Sequence, residues 1–185
     1  MEDRRIIELF RERSEQAIAE LAAKYGAQCA HLAENILGSA QDAEECLNDA
    51  YLGAWNSIPP QEPEPLLAYL CRIVRNLAIR RYHANTACKR NSSYDAALDE
   101  LANCLAAPCS VEDSLTAAEL GALLERFLDT LDADSRVLFV RRYWYADDIA
   151  ALAERFRVSG NNVSVRLSRI RKRLRDYLRK EGYFS

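Results

Sequence analysis

The sequence has few of the residues that interrupt helices. Its 185 residues include only six glycines and five prolines, too few for a chain built from β-turns or for a disordered one. Runs that alternate apolar and polar residues are also absent, whereas apolar residues recur at helical spacing throughout. We therefore predict an all-α fold. Hydrophobic residues make up 49% of the chain, which is enough for one medium domain or two small ones.

The sequence also lacks a long apolar run. No stretch approaches the roughly 20 apolar residues that a membrane-spanning helix needs. The first residues, Met1–Arg5, begin an amphipathic helix and do not resemble a signal peptide. We expect a cytoplasmic protein that does not insert into membranes and whose thiols are reduced.

The six cysteines are scattered, with no C-x-x-C pair. Cys29 and His31 are too close together for a usual zinc site, so we predict no metal and no cofactor, and favour buried structural cysteines. A thiol-dependent enzyme using Cys71, Cys88 and His83 is an alternative. Nothing in the sequence orients such a nucleophile and there is no glycine-rich phosphate loop, so we predict no catalytic site.

The net charge is −3, but the charges are separated along the chain. Residues 72–90 hold six basic residues and no acidic one, and residues 95–134 hold ten acidic residues and one basic residue. From Arg166 to Lys180, eight basic residues accompany Asp176 alone. This pattern predicts two basic patches that bind nucleic acid, and weak DNA affinity when the protein is alone.

Residues 147–178 have the pattern of a helix-turn-helix. Asp147 and Asp148 are predicted in the first turn of a short amphipathic helix, and Ser159 can cap a long second helix. The second helix carries an apolar stripe at Val163, Leu167, Ile170, Leu174 and Leu178. Basic residues flank this stripe on one side at Arg166, Arg169, Arg173 and Lys180, and on the other at Arg171, Lys172, Arg175 and Arg179.

Basic flanks suit DNA phosphates, and the small polar tip of the second helix suits base edges. The candidate DNA contacts on this helix are Asn161, Asn162, Ser164, Val165, Arg166, Ser168, Arg169 and Arg173. A solvated surface helix is the alternative. Helices at Leu115–Leu131 and Ser135–Trp144 are predicted to pack with this unit.

In the N-terminal half, the spacing predicts a first helix from Ile6 to Ala22 and a second between Gly26 and Gly38. Ser39 is predicted to cap a third helix. The outer face of the third helix carries Glu45, Asn48, Asp49, Leu52 and Asn56. An exposed leucine within an acidic rim suits a protein partner, although single surface leucines are common.

Four prolines predict a loop between Ser57 and Pro65. The helix after it has an apolar inner face and an outer face that combines basic, aromatic and amide groups, as in proteins that bind unstacked nucleic acid. The candidates on this face are Tyr69, Arg72, Arg75, Asn76, Ile79, Arg80 and His83. A solvated basic face is the alternative. Residues 91–113 are predicted to be an acidic linker, with a short helix near Ala96–Leu105.

Together these motifs resemble the bacterial sigma-70 family, and within it the small extracytoplasmic-function (ECF) type. Asp42–Trp55 resembles the helix that docks on the clamp helices of the largest subunit of RNA polymerase. Tyr69–Ala78 resembles the helix that reads and opens the −10 element, and Val163–Leu174 resembles the recognition helix for the −35 element. The resemblance implies a region 2-like domain over residues 1–90, a linker over 91–113 and a region 4-like domain over 114–185.

The resemblance implies a sigma factor, a dissociable subunit that directs promoter recognition and transcription initiation. Its implied partners are core RNA polymerase, through the clamp helices and the flap, and promoter DNA; an anti-sigma factor is a candidate partner. The implied polymerase-binding residues are Asp42, Glu45, Asn48, Asp49 and Leu52.

Three departures from the family pattern make the promoter sequence unpredictable from the resemblance. Tyr69 stands where the family usually has tryptophan, and Ser159–Asn162 where it often has Pro-x-Gly-Thr. The loop before the −10 helix is also unusually rich in proline. The alternative function is that of a conventional helix-turn-helix regulator, which binds duplex operators without polymerase. That function leaves the Tyr69–His83 helix without a role.

Overall fold

The computed structural model describes residues 1–85, 93–105 and 117–182. These ranges are helical with short connections and contain no strand, which confirms the all-α prediction. The helices are α1 Asp3–Arg11, α2 Gln16–Leu37, α3 Ala40–Ser57, α4 Leu66–Asn85, α5 Ser93–Leu105, α6 Ala117–Asp129, α7 Ala133–Tyr143, α8 Ile149–Phe156 and α9 Gly160–Lys180. None of the helices in these ranges is long and apolar enough to cross a membrane.

The chain divides into two compact units, residues 1–94 and residues 95–185. The division falls inside α5, directly after Tyr94. This helix lies in the segment that the sequence indicates as an acidic linker. Residues 91–92 and 106–113 of the predicted linker, and the first two residues of the helix predicted from Leu115, lie outside the described residues.

In the first unit, α2, α3 and α4 pack against one another and α1 packs on α2. Small residues allow α2 and α3 to approach closely. A Cβ atom at Gly26 would lie 3.0 Å from the Tyr51 hydroxyl oxygen. Gly26 was predicted to begin the second helix, which is wrong. It lies inside α2, where it packs closely against Tyr51 and does not form a turn.

The single helix predicted from Ile6 to Ala22 is also wrong. The chain turns between α1 and α2, where Arg13 has a left-handed φ of 54°. The Arg13 guanidinium lies 5.4 Å from the Trp55 ring centre and donates a hydrogen bond of 2.6 Å to the Trp55 carbonyl oxygen. These contacts are made to α3, so the apolar spacing within 6–22 carries no sign of the break.

Capping follows the sequence more closely. Gly38 ends α2 in the left-handed conformation, and the Ser39 hydroxyl accepts a hydrogen bond of 3.3 Å from the Asp42 N–H. Ser159 caps α9 as predicted, accepting from the Asn162 N–H at 3.2 Å. Each cap satisfies a backbone group that a helix end leaves without an intrahelical partner.

In the second unit, the apolar stripe of α9 is buried against α6, α7 and α8, and all five predicted stripe residues belong to this core. Asp148 caps α8 by accepting from the Ala151 N–H at 2.7 Å. Asp147 was predicted in the first turn of α8, but it precedes the helix and is buried. Its carboxylate pairs with Arg141 at 2.5 Å, because a buried carboxylate needs a charged partner.

Candidate nucleic-acid interface

The predicted DNA contacts on α9 lie outside its buried stripe. Seven of them are exposed: Asn161, Asn162, Ser164, Val165, Ser168, Arg169 and Arg173. Arg166 is partly buried, because its guanidinium lies 5.4 Å from the ring centre of Phe156 on α8. The exposed groups offer hydrogen-bond donors and acceptors at the helix tip and positive charge beside it, as a helix in a major groove requires.

The second basic flank of α9 meets α5. The Arg171 guanidinium donates to the Glu100 carboxylate at 2.8 Å and to the Tyr143 hydroxyl at 2.7 Å. The same carboxylate accepts from Arg142 at 2.7 Å and from the Tyr143 hydroxyl at 3.0 Å. Burial raises the pKa of Tyr143, so its hydroxyl remains protonated and able to donate.

This cluster around Glu100 was not predicted from the sequence. Glu100 is one acidic residue among many in its segment, and no local spacing pairs it with Arg142 or Arg171. The nearest signal is the apolar pair that brings α5 to this core: Ala97 is buried there and Leu101 packs against it. Such a pair on a short helix indicates packing, but it does not identify the partner.

On α4, the predicted −10 face is divided into exposed and covered residues. Arg72, Asn76, Arg80 and His83 are exposed, whereas Tyr69, Arg75 and Ile79 are partly buried. The exposed group supplies positive charge, an amide and an imidazole along one helix. This combination can contact both phosphates and unstacked bases.

Tyr69 is fixed by a chain of hydrogen bonds to the end of α3. Its hydroxyl donates to the Ser57 hydroxyl oxygen at 2.7 Å, and Ser57 in turn donates to the Gly53 carbonyl oxygen at 2.7 Å. The Arg72 guanidinium lies 5.7 Å from the Tyr69 ring centre. The ring is therefore held in place beside an exposed positive charge.

Arg75 is less exposed than the sequence indicates. Its guanidinium lies 5.8 Å from the ring centre of Tyr94, the last residue of the first unit. Tyr94 is buried and packs edge-on against Tyr82 at 5.4 Å between ring centres. Burial lowers the pKa of Arg75, although arginine stays charged in proteins.

The outer face of α3 is exposed at Glu45, Asn48, Asp49 and Leu52, and the Leu52 side chain is 57% exposed. Two predicted polymerase-binding residues also contact α4 through Arg81. Arg81 donates to the Glu45 carboxylate at 2.6 Å and to the Asp42 carbonyl oxygen at 3.2 Å. Arg81 was missed, because its partners lie far away along the chain.

The thiols and possible metal ligands do not form a site in the described part of the chain. No group of histidine, cysteine and carboxylate side chains there is arranged to hold a metal ion. Cys29, Cys46 and Cys71 are buried, and none of the three forms a disulfide. Burial raises the pKa of Cys46 to about 11, which makes its thiol a weak nucleophile near neutral pH. Cys88, Cys104 and Cys109 are outside the described side chains.

Residues 21–87 match the family model described as sigma-70 region 2. The first unit therefore contains a sigma-70 region 2 domain, and the match includes both α3 and α4. The match is to one region of sigma-70 proteins and covers less than half of the chain. The match does not extend to α9. Comparison with curated proteins gave no match.

Proposed function

We propose that this protein is a sigma factor of the ECF type, a dissociable subunit that gives bacterial core RNA polymerase its promoter specificity. The observation that carries the proposal is the sigma-70 region 2 match over 21–87, which contains an exposed acidic face on α3 and an exposed basic face on α4. A second basic helix, α9, lies outside that match. One subunit thus has separate surfaces for polymerase and for two parts of a promoter.

Helix α4 opens and reads the −10 element in this proposal. Capture of unstacked bases on aromatic and amide groups offsets an unpairing cost of a few kcal/mol per base. Asn76 and His83 are exposed for such contacts, and Arg72 and Arg80 supply charge for the backbone. Tyr69 provides a ring whose position is fixed by Ser57.

Helix α9 reads the −35 element as the recognition helix of a region 4-like helix-turn-helix over residues 114–185. Arg166 and Arg169 would contact phosphates on one flank, and the polar tip from Asn161 to Ser168 would contact base edges. The support is the exposure of the tip together with the capped first turn of the helix.

The α3 face, with Leu52 at its centre, docks on the clamp helices of the largest polymerase subunit. A protruding leucine ringed by Glu45, Asn48 and Asp49 has the apolar centre and polar rim of a protein interface. The region 4-like unit would bind the flap. The protein would act in the cytoplasm without catalytic activity of its own, and an anti-sigma factor would be a natural partner for either polymerase-binding surface.

A conventional helix-turn-helix regulator is the competing function, and it is not favoured. It would account for α8 and α9 alone. It gives no role to the sigma-70 region 2 domain in the first unit.

Binding to core RNA polymerase without DNA tests the proposal directly. The purified full chain is mixed with bacterial core enzyme and run on gel filtration, alongside the Leu52→Ala variant. We expect co-migration of the wild-type chain and weaker co-migration of the variant. Absence of a complex, together with tight binding of the protein alone to duplex DNA, would support the conventional regulator.

A further inference from the structure

Glu100 on α5 lies at one wall of a basic groove in the second unit. The groove has a volume of about 550 Å³. Its charged lining consists of Arg171, Lys172, Arg175 and Arg179 on α9, with Glu100 and Asp176. The side chains of Arg171 and Glu100 are 22% and 27% exposed, so solvent and ligands reach this ion pair.

The contact between Arg171 and Glu100 has the chemistry of a phosphate contact. Carboxylate and phosphate oxygens accept the same charge-assisted hydrogen bonds from a guanidinium group. Arg171 also belongs to a flank of α9 that carries three further positive charges in the same groove. Glu100 therefore occupies one position for an anion on a basic surface that could bind several anions.

We propose that the Glu100 carboxylate occupies the position of a DNA backbone phosphate on Arg171, and that duplex binding exchanges this ion pair for a phosphate contact. The inference rests on the proposed role of α9 in duplex binding and deepens it. Glu100 is then an internal competitor that lowers the DNA affinity of the free protein.

The exchange leaves α5 packed in place. One Glu100 oxygen remains bonded to Arg142, whose side chain is only 3% exposed, and the other oxygen still accepts from Tyr143. Ala97 and Leu101 keep the helix on the apolar core. The exchange therefore breaks a partly exposed ion pair and the hydrogen bond from Arg171 to Tyr143, while the buried Arg142 keeps its partner.

The first test measures binding of the full chain to a fluorescein-labelled duplex of mixed sequence. A mixed sequence is suitable because phosphate contacts contribute to DNA affinity whatever the base sequence. Glu100→Gln keeps an acceptor for Arg142 while removing the charge. We expect this variant to bind about two- to fivefold more tightly than wild type, the range that a surface ion pair supplies.

Asp99→Asn is the matched control, because it removes the same charge from an exposed neighbour on the same helix. We expect a smaller gain than that of Glu100→Gln. Equal gains in the two variants would overturn the proposal, because they would reflect the net charge of α5 alone. Thermal melting by circular dichroism checks that both variants are folded.

Arg171→Gln tests the proposal without altering Glu100. If Arg171 takes up a phosphate, this variant lowers the slope of log affinity against log salt concentration by about 0.9. Adding Glu100→Gln to Arg171→Gln should then give no further gain beyond that of Asp99→Asn. An unchanged slope in Arg171→Gln would overturn the proposal, because Arg171 would then only hold α5.

Arg169→Gln separates failure of this inference from failure of the proposed function. Arg169 lies on the opposite flank of α9 and is a predicted DNA contact. A lower slope for Arg169→Gln with an unchanged slope for Arg171→Gln would refute only the proposed exchange of Glu100 for a phosphate. Unchanged slopes for both would remove α9 as the duplex-binding helix.

Discussion

The Arg81 guanidinium lies 2.6 Å from the Glu45 carboxylate and thereby joins α4 to the outer face of α3. Arg81 also donates to the Asp42 carbonyl oxygen, in the first turn of the same helix. Arg81 is thus one of the side chains that connect the proposed polymerase-binding helix to the proposed −10 helix. A charge reversal at Glu45 alters both helices at once, so it cannot by itself identify a polymerase contact.

Conservative substitutions separate the two roles of Glu45. Because the side chains of Glu45 and Arg81 are 53% and 29% exposed, we expect Glu45→Gln and Arg81→Gln each to cost less than about 1 kcal/mol in unfolding free energy. Only Glu45→Gln should weaken binding to core polymerase. Urea unfolding and a fluorescence binding assay with core enzyme measure the two effects. Equal losses of polymerase binding would assign Glu45 a purely intramolecular role.

Leu52→Ala should weaken polymerase binding without destabilising the protein. The side chain is too exposed to support the core, so unfolding free energy should change by less than about 0.5 kcal/mol. A residue that acts as a hot spot at the centre of an interface costs more than about 1 kcal/mol on truncation, or roughly fivefold in affinity. Leu98→Ala is the control, because Leu98 is 40% exposed on α5. A Leu52 variant that binds polymerase as wild type does would refute the α3 interface.

Arg166→Ala combined with Arg169→Ala should reduce transcription from a −35-dependent promoter by tenfold or more, since each lost phosphate or base contact costs about 1 kcal/mol or more. Binding to core polymerase should be unchanged. The combination of Arg126→Ala with Arg136→Ala removes two exposed charges from α6 and α7 and serves as the control. In vitro transcription with reconstituted holoenzyme measures the effect, and full activity of the α9 variant would refute the recognition-helix assignment.

Asn76→Ala should slow promoter opening. Asn76 is exposed on α4, so its loss removes an amide that can hydrogen-bond an unstacked base while leaving the core intact. Permanganate reactivity of thymines in the −10 region reports opening by holoenzyme. Gln28→Ala removes an exposed amide from α2 and should leave opening unchanged. The same permanganate pattern in both variants would exclude Asn76 as a −10 contact.

Cys46 and Cys71 should resist alkylation in the native protein. Cys46 has a pKa raised to about 11, so little thiolate exists at pH 8, and the Cys71 side chain is only 1% exposed. Peptide mapping by mass spectrometry after iodoacetamide treatment should find both thiols unmodified, and both labelled once the protein is unfolded. Rapid labelling of Cys71 in the folded protein would instead support the alternative of a thiol-dependent enzyme.

The features that the sequence predicts well are those set by local spacing. The buried stripe of α9 and the caps at Ser39 and Ser159 depend on residues within a few positions of one another. The features it misses depend on distant partners. Arg13 turns the chain through its contacts with Trp55, and no pattern within the predicted first helix shows this break.

The residues of the candidate site also include some that local spacing predicts and others that depend on distant partners. Exposure of Leu52 and of the α9 tip follows from helical periodicity. The partial burial of Arg75 beside Tyr94 and the pairing of Glu100 with Arg171 depend on contacts between residues far apart along the chain. The short helix predicted near Ala96–Leu105 is present as α5, but its few apolar residues do not show which core it packs against.

The close approach of Gly26 to Tyr51 limits which pairs of residues this fold accepts at these two positions. A methyl group at position 26 would lie 3.0 Å from the Tyr51 hydroxyl oxygen, so the two side chains compete for the same volume between α2 and α3. Phenylalanine at position 51 lacks the hydroxyl and would remove the tight contact that alanine at position 26 makes. Over evolutionary divergence these two positions should therefore covary, although they are neighbours only in space.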